Sequence, residues 1–382
     1  MKPTLTVPKT VPISRNFATF VDPWLFAATI ALVLCGLVMV YSASATLGRE
    51  NYQSQFHFLV RQVVAALIGG GLLLGSLWLG YSRLERPWVV YGLLGVTAGL
   101  LVLALCLPPV RGTHRFIRLP GVMFQPSELA KLALVLFLAF FLSRKDVLAR
   151  RDPFRALLPV AVVGGLLMGL VFLGRDLGTI LMMGGTAFAM LVVAGVPLRY
   201  PAVAGALCSP LLLYALLKEP YRRARLLAFL DPWKAPREEG FQIVQSLMAV
   251  GSGGVSGVGF AQSRQKLFYL PEAHTDFIFS VIAEEIGLIG SLMLITLFGV
   301  IAVRGLRAAY LAPDDFGKLL AVGVTVLLVG QALFNLSVVL SLVPAKGIPL
   351  PFISYGGSSL MMSLLAAGWL LSVSQRNLSA RP

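Results

Sequence analysis

Ten residues, "LPEAHTDFIF" at 270–279, set Glu272, His274, Thr275 and Asp276 directly against the start of a long apolar run. A carboxylate in that position has two uses. It can take a proton from a weak nucleophile such as a hydroxyl group, or it can cap a helix by accepting free backbone N–H groups of the first turn. Residue type alone leaves both open. His274 and Asp276 are two residues apart, so on a helix beginning there their side chains diverge and no dyad or triad is indicated. In "FQPSELAKL" at 124–132, Glu128 and Lys131 stand three apart on one face of a helix whose start is marked by Pro126 and Ser127. That pair reads either as functional or as a self-neutralising staple between helices. Glu284 and Glu285 lie about 12 Å beyond Asp276 at 1.5 Å per residue, where a charge at a helix centre costs roughly 2.5–3.5 kcal/mol. At least one of them must meet a cation, a proton or water. In "GRDLGT", Arg175 and Asp176 occupy a very short loop, and solvation of both charges is the simpler reading. "GIPLPFISYGGSS" at 347–359, which contains Ser354, reads as a rigid turn; non-helical backbone at membrane depth is tolerated mainly where it lines a buried cavity.

The elements that must position these groups follow from composition. With 57% hydrophobic and 13% charged residues and a mean hydropathy of +0.82, this 382-residue chain is not a soluble globular domain. Apolar windows of transmembrane length fall near 22–45, 56–80, 88–108, 125–143, 154–174, 178–196, 198–217, 275–302, 318–343 and 355–374. The first is too long for the core of a signal peptide and is kept as a helix. The expected fold is therefore an all-α polytopic membrane protein with ten transmembrane helices. A cytoplasmic tail (1–21) precedes helices 1–7 (22–217), a large extracytoplasmic loop (218–274) separates helices 7 and 8, and helices 8–10 (275–374) lead to a cytoplasmic tail (375–382). Cys35, Cys106 and Cys208 all lie in apolar stretches and read as small buried hydrophobes, with no disulfide framework or metal-ligand spacing.

This topology places sixteen Lys/Arg residues inside, including the cluster in "SRKDVLARRDPFR", and fourteen outside. Either the count of ten is wrong, or the outer face needs cations for an anionic ligand; the inner position of the dense cluster favours the second. Within the large loop, "YRRARLLAFLDPW" sets basic residues beside Leu, Phe and Trp, as suits a short helix in the headgroup plane. The glycine-rich "GSGGVSGVGF" reads equally as a flexible linker or as backbone that must approach a ligand closely.

Taken together, "MVYSASA" (39–45), "FQPSELAKL", "RDLGT" (175–179), "FQIVQSLMAVGSGGVSGVG" (241–259), "LPEAHTDFIFSVIAEEIG" (270–287) and "GIPLPFISYGGSS" resemble the SEDS family (shape, elongation, division and sporulation) over nearly the whole chain. These are polytopic glycosyltransferases that polymerise the lipid-linked peptidoglycan precursor lipid II. The wording "RRARLLAFLDPW", "QKLFYLPEAHTDFIF" and "PAKG" is closer to the division branch than to the elongation branch. Gly174-Arg175 departs from the Gln-Pro or Glu-Pro usual before Asp-Leu-Gly-Thr.

The resemblance implies that Asp276 is the catalytic carboxylate, a general base for the acceptor hydroxyl, with inversion at an α-linked donor to give a β-linked glycan. It also implies a bacterial cytoplasmic-membrane location with an extracytoplasmic active site. The expected partners are lipid II, a class B penicillin-binding protein transpeptidase, other division proteins and membrane lipids, not nucleic acid. Family members are expected to depend on a divalent cation, Mg or Mn, although no ligand motif is visible. The substrate-binding candidates are Arg111, Arg115, Arg118, Arg222, Arg223 and Lys266 for lipid phosphates, Glu272 and His274 shaping the loop above Asp276, and Glu128, Lys131 and Ser354. The competing readings are a flippase for the same lipid, for which internal repeats would be expected and are not seen, and a non-catalytic division scaffold.

Overall fold

The computed structural model describes residues 21–110, 112–119, 122–144, 153–218, 220–234, 240–267, 270–344 and 346–379. The chain is predominantly helical. In order it forms α1 (Pro23–Tyr52), α2 (His57–Leu79), α3 (Pro87–Cys106), a small hairpin of β1 (Ile117–Leu119) and β2 (Val122–Phe124), then α4 (Pro126–Leu142), α5 (Pro153–Leu173), α6 (Leu177–Val193) and α7 (Arg199–Lys218). There follow α8 (Pro220–Leu230), α9 (Phe241–Ser252), α10 (Ile278–Tyr310), α11 (Asp315–Val339) and α12 (Gly357–Ser379). Each apolar window of the sequence coincides with one long helix. Among the described residues six of them, α1, α2, α3, α10, α11 and α12, are long and apolar enough to cross a membrane, and the chain is an integral membrane protein.

Three helices make the core. Residues 126–140 of α4 are buried without interruption, and most of α11 and α12 is buried as well. Around them α2 packs on α12, α1 and α11 on α10, and α3 and α6 on α4. The outward faces of α1, α2 and α3 carry exposed Leu, Val and Trp, as a lipid-facing surface does. Hydroxyls inside the bundle are satisfied by carbonyls one turn back, as with Thr29 on Leu25 O at 2.8 Å and Thr325 on Ala321 O at 2.7 Å.

At one end of the bundle Asp22 caps α1 through Trp24 N and Leu25 N and also binds Arg304 near the end of α10 at 2.7 Å. At the same end Tyr81 donates to Asp314 at 2.6 Å, which in turn caps α11 through Gly317 N. The opposite end gathers the starts of α2, α4, α6, α10 and α12, and with them "FQPSELAKL", "RDLGT", "LPEAHTDFIF" and "GIPLPFISYGGSS".

Two features depart from the sequence reading. The segment 218–274 is not one loop: α8 forms over the basic and apolar stretch as expected, but α9 buries Ile243, Val244, Ser246 and Ala249, and Ser246 is within 2.8 Å of both Ser280 Oγ and Val339 O. The eighth apolar window is not one straight helix either, because Gly287 (φ 72°, ψ −161°) breaks α10 into residues 278–286 and 288–310. The glycine-rich segment fills the break. Val258 N and Gly259 N donate to the carbonyls of Glu284 and Glu285 at 2.9 and 3.1 Å, while Leu288 N and Ile289 N donate to Gly254 O and Val255 O at 3.0 and 3.2 Å. A Cβ at residue 253 or 257 would run into the α10 backbone, so glycine is required there for close approach rather than for flexibility.

Candidate active site

The loop before α10 turns from residue 271 to 277, and the helix begins at Ile278 with Phe277 in the cap position. The helix thus begins three residues after the apolar window opens at 275, and Asp276 lies outside the cap. What fixes the loop is a set of backbone and side-chain bonds. Glu272, in a left-handed conformation (φ 56°), offers its carbonyl to Thr275 N at 3.1 Å and Phe277 N at 3.4 Å, and its carboxylate accepts from Thr275 Oγ1 at 3.0 Å.

The second wall is the 347–356 segment, and polar side chains buried in the bundle lash it to the first. Ser354 donates to Thr275 O at 2.6 Å and accepts from Leu350 N at 2.8 Å. Asn335, 1% exposed, bridges Asp276 O and Ile348 O at 2.8 Å each. Gln62 donates to Ser354 O at 3.0 Å and accepts from Gly356 N at 3.2 Å, and Tyr355 N donates to His274 O at 2.9 Å. Gly347 completes the arrangement, since a Cβ there would stand 2.6 Å from Asp276 Oδ2. The Asp276 carboxylate therefore lies against bare backbone, half-buried at the mouth of the bundle.

Beside it stands an aromatic group. The His274 ring lies 5.1 Å from Phe58 and 5.6 Å from Tyr355, and Tyr52 stacks on His57 at 3.7 Å. Burial pushes the Tyr355 phenol up, and a side-chain hydrogen bond with Arg61 pulls the other way. Arg61 is exposed one turn into α2.

The remaining candidates divide by position. Glu128 and Lys131, 3% and 5% exposed, form a buried ion pair at 2.9 Å. Lys131 also donates to Gln331 Oε1 at 2.6 Å, and Gln331 donates to Pro349 O at 2.8 Å. Their reach to the site runs through the 347–356 segment. Lys266 is bound to Glu285 at 2.7 Å and Ser42 at 3.0 Å. Arg118 and Arg223 are exposed; Arg115 stacks over Phe116 at 4.9 Å with its Nε buried and unpaired. Arg111 lies outside the described residues, and so does the side chain of Arg222.

The solvated reading of Asp176 is overturned: it is 3% exposed and caps α6. Its carboxylate accepts from Thr179 N, Thr179 Oγ1, Gln125 Nε2 and Ser127 Oγ at 3.2, 2.9, 2.8 and 2.9 Å. Arg175 alone is exposed, at φ 64°. Sequence reasoning missed Gln62, Gln331, Asn335 and Arg61. A lone polar residue within an apolar window was the available signal, since such groups are rarely idle in a membrane. No group of three or more His, Cys, Asp or Glu side chains able to hold a metal ion occurs among the described residues.

The family model for the FtsW/RodA/SpoVE cell cycle proteins matches residues 23–378. The chain is 43% identical over 351 residues to the probable peptidoglycan glycosyltransferase FtsW of Geobacter metallireducens, covering 91% of this chain and 92% of that one. It is 40% identical over 360 residues to the stage V sporulation protein E of Bacillus subtilis, covering 93% and 97%. Among solved structures it resembles a chain of a peptidoglycan synthase complex that coordinates polymerization and crosslinking (TM-score 0.74, 32% identity, 94% and 98% covered). It also resembles the rod shape determining protein RodA of Thermus thermophilus (TM-score 0.69, 28% identity, 95% and 99% covered). By sequence and by fold, the chain belongs to the FtsW/RodA/SpoVE family of cell cycle proteins.

Proposed function

We infer that this chain is a peptidoglycan glycosyltransferase of the bacterial inner membrane, and that it polymerises lipid II with Asp276 as general base. Similarity to relatives named for that activity supports the reaction class. The observation that carries the mechanism is the placement of Asp276: outside the helix cap, half-buried, with its backbone carbonyl held by Asn335 and its carboxylate against the Gly347 backbone. A base so fixed takes the proton of the acceptor sugar hydroxyl as the oxygen attacks the anomeric carbon of the donor. The new glycosidic C–O bond forms on the face opposite the pyrophosphate, whose C–O bond breaks, so the configuration inverts. The leaving pyrophosphate is already a stable anion and needs no strong general acid; Arg and Lys side chains can offset its growing charge. No step is assigned to a divalent cation.

In this reading the ten long helices all cross the membrane, both termini are cytoplasmic, and the bundle end carrying Asp276 faces outward. The segment divisions are those expected from the sequence, with α8 and α9 inside the outer one. Arg111, Arg115, Arg118, Arg222 and Arg223 draw the lipid phosphates, and Glu272, His274 and Ser354 line the approach. A class B penicillin-binding protein is the expected partner, in keeping with the crosslinking attributed to the related synthase complex.

The test is polymerisation of purified lipid II, with glycan strands resolved on a gel. Asp276→Asn keeps the size and much of the hydrogen bonding but removes the proton acceptor. It should fold and bind lipid II and lose roughly 10²- to 10⁴-fold in rate, the usual worth of a positioned base. Strand synthesis above about a tenth of the normal rate would refute the assignment.

A further inference from the structure

Between the glycine-rich segment and α10 lies a polar cluster that the mechanism above does not use. Glu285, 1% exposed, accepts Ser42 Oγ at 2.7 and 2.8 Å on its two oxygens, Lys266 Nζ at 2.7 Å, Ala261 N at 3.0 Å and Ser263 N at 3.4 Å. Its neighbour Glu284, 3% exposed, accepts Ser263 Oγ and, at 2.9 Å, Arg264 N. Two adjacent carboxylates in an apolar bundle would be costly if unpaired. Here each is saturated by donors from one stretch, residues 261–266, and Ser42 adds a tie to α1.

The chain path gives the cluster its meaning. Between Lys266 and Glu285 the chain makes an excursion that includes Leu270, buried and bonded through its N–H to Gln265 O at 2.9 Å, the 271–277 turn that carries Asp276, and the short half-helix 278–286 that bears Glu285. The ion pair between Lys266 and Glu285 closes this excursion at its base, with Asp276 near its middle. At the far end of the half-helix, Gly287 interrupts the helix, so its direction is set by tertiary contacts rather than by continuity with residues 288–310.

We propose that Glu285, with Lys266 and Ser42, is a positioning latch for Asp276: it clamps both ends of the segment bearing the base and so fixes where the carboxylate stands relative to the acceptor hydroxyl. The proposal rests on the glycosyltransferase reading. Phosphate binding by Lys266 is set aside in it, because the side chain is 7% exposed and its ammonium is occupied by a carboxylate. Neither Glu285 nor Lys266 touches substrate. Their effect is on the geometry of the chemical step, for which a displacement near 1 Å costs on the order of 10²-fold.

The experiment compares Lys266→Met, Lys266→Arg and Ser42→Ala with the unaltered full-length protein in detergent, by lipid II titration and by hydrogen–deuterium exchange. Lys266→Met should lower kcat by about 10- to 100-fold with KM changed by less than about threefold, and should speed exchange within 270–277 while α11 and α12 keep their protection. Lys266→Arg should recover most of kcat, and Ser42→Ala should fall between. A Lys266→Met protein with normal kcat, or one whose loss is entirely in KM, overturns the latch; so does a loss matched by uniform exchange across the bundle, which marks general unfolding. If the unaltered protein makes no glycan, the glycosyltransferase reading fails instead, and selective exchange at 270–277 still decides whether the latch positions that segment.

Discussion

Gly347→Ala separates position from stability at the candidate active site. The new methyl carbon would sit 2.6 Å from Asp276 Oδ2, where ordinary contact begins at 3.4 Å. One of the two groups must therefore yield by roughly 0.8 Å. The group that yields is the carboxylate, because the carbonyl of the next residue, Ile348, is held by Asn335 and that of Pro349 by Gln331. Gly347 is not among the glycines with positive φ, so alanine adopts its backbone conformation without strain. Displacing the end of a flexible side chain is cheap, and the melting temperature should stay near that of the parent, within the ±0.5 kcal/mol typical of mild substitutions. Catalysis should not be spared, since a shift of this size in a reacting group costs up to about 10²-fold. The assay is initial-rate polymerisation at saturating and limiting lipid II alongside thermal unfolding in the same detergent. A variant that keeps more than half the parental kcat would refute the claim that Asp276 acts from the position described. One that loses activity only in proportion to its stability would do the same.

Lys131→Met should lower stability by about 3–5 kcal/mol, because it strands the buried Glu128 carboxylate and removes the donor to Gln331; thermal unfolding that shifts by less than a degree or two would contradict the buried pairing. Gly257→Ala should destabilise more than Gly254→Ala. Both need a left-handed backbone, costing roughly 1–2 kcal/mol in a non-glycine residue, but only residue 257 abuts the Glu285 carbonyl; equal melting temperatures would count against the stitched geometry. Neutralising Arg222 and Arg223 together should raise the lipid II concentration needed for half-maximal rate, with an effect that shrinks as salt rises, and an unchanged requirement would argue against phosphate contact.

The helices were legible because membrane insertion writes itself into long apolar windows, and each window met a helix. The resemblance found in six motifs likewise agrees with the family. What the sequence concealed was tertiary. The break at Gly287 follows two glutamates in an otherwise apolar window, and only the backbone of 253–259 pressed into it explains why glycine stands there. Gln62 stands on α2 and Gln331 and Asn335 one turn apart on α11, and nothing in the sequence announces that the two helices converge on 347–356 and 274–276. Asp176 read as solvated because it adjoins Arg175 in a short loop, yet Gln125 and Ser127, some fifty positions earlier, supply the donors that let it be buried. Lys266 read as a candidate for lipid phosphates because its partner, Glu285, is nineteen residues away.

The interruption in α10 bears on how the protein is made. Residues 288–310 extend over roughly 34 Å at 1.5 Å per residue, enough to cross a bilayer unaided. Residues 278–286 reach only about 13 Å and end in two glutamates, so hydrophobicity gives that piece little reason to partition. It can settle only after α1 is in place to present Ser42 and after the glycine-rich strip has been laid into the gap. The lipid bilayer thus recruits the anchor, and the finished bundle recruits the segment that carries Asp276. Assembly in that order leaves a nascent chain inserted before the turn at 270–277 is in place.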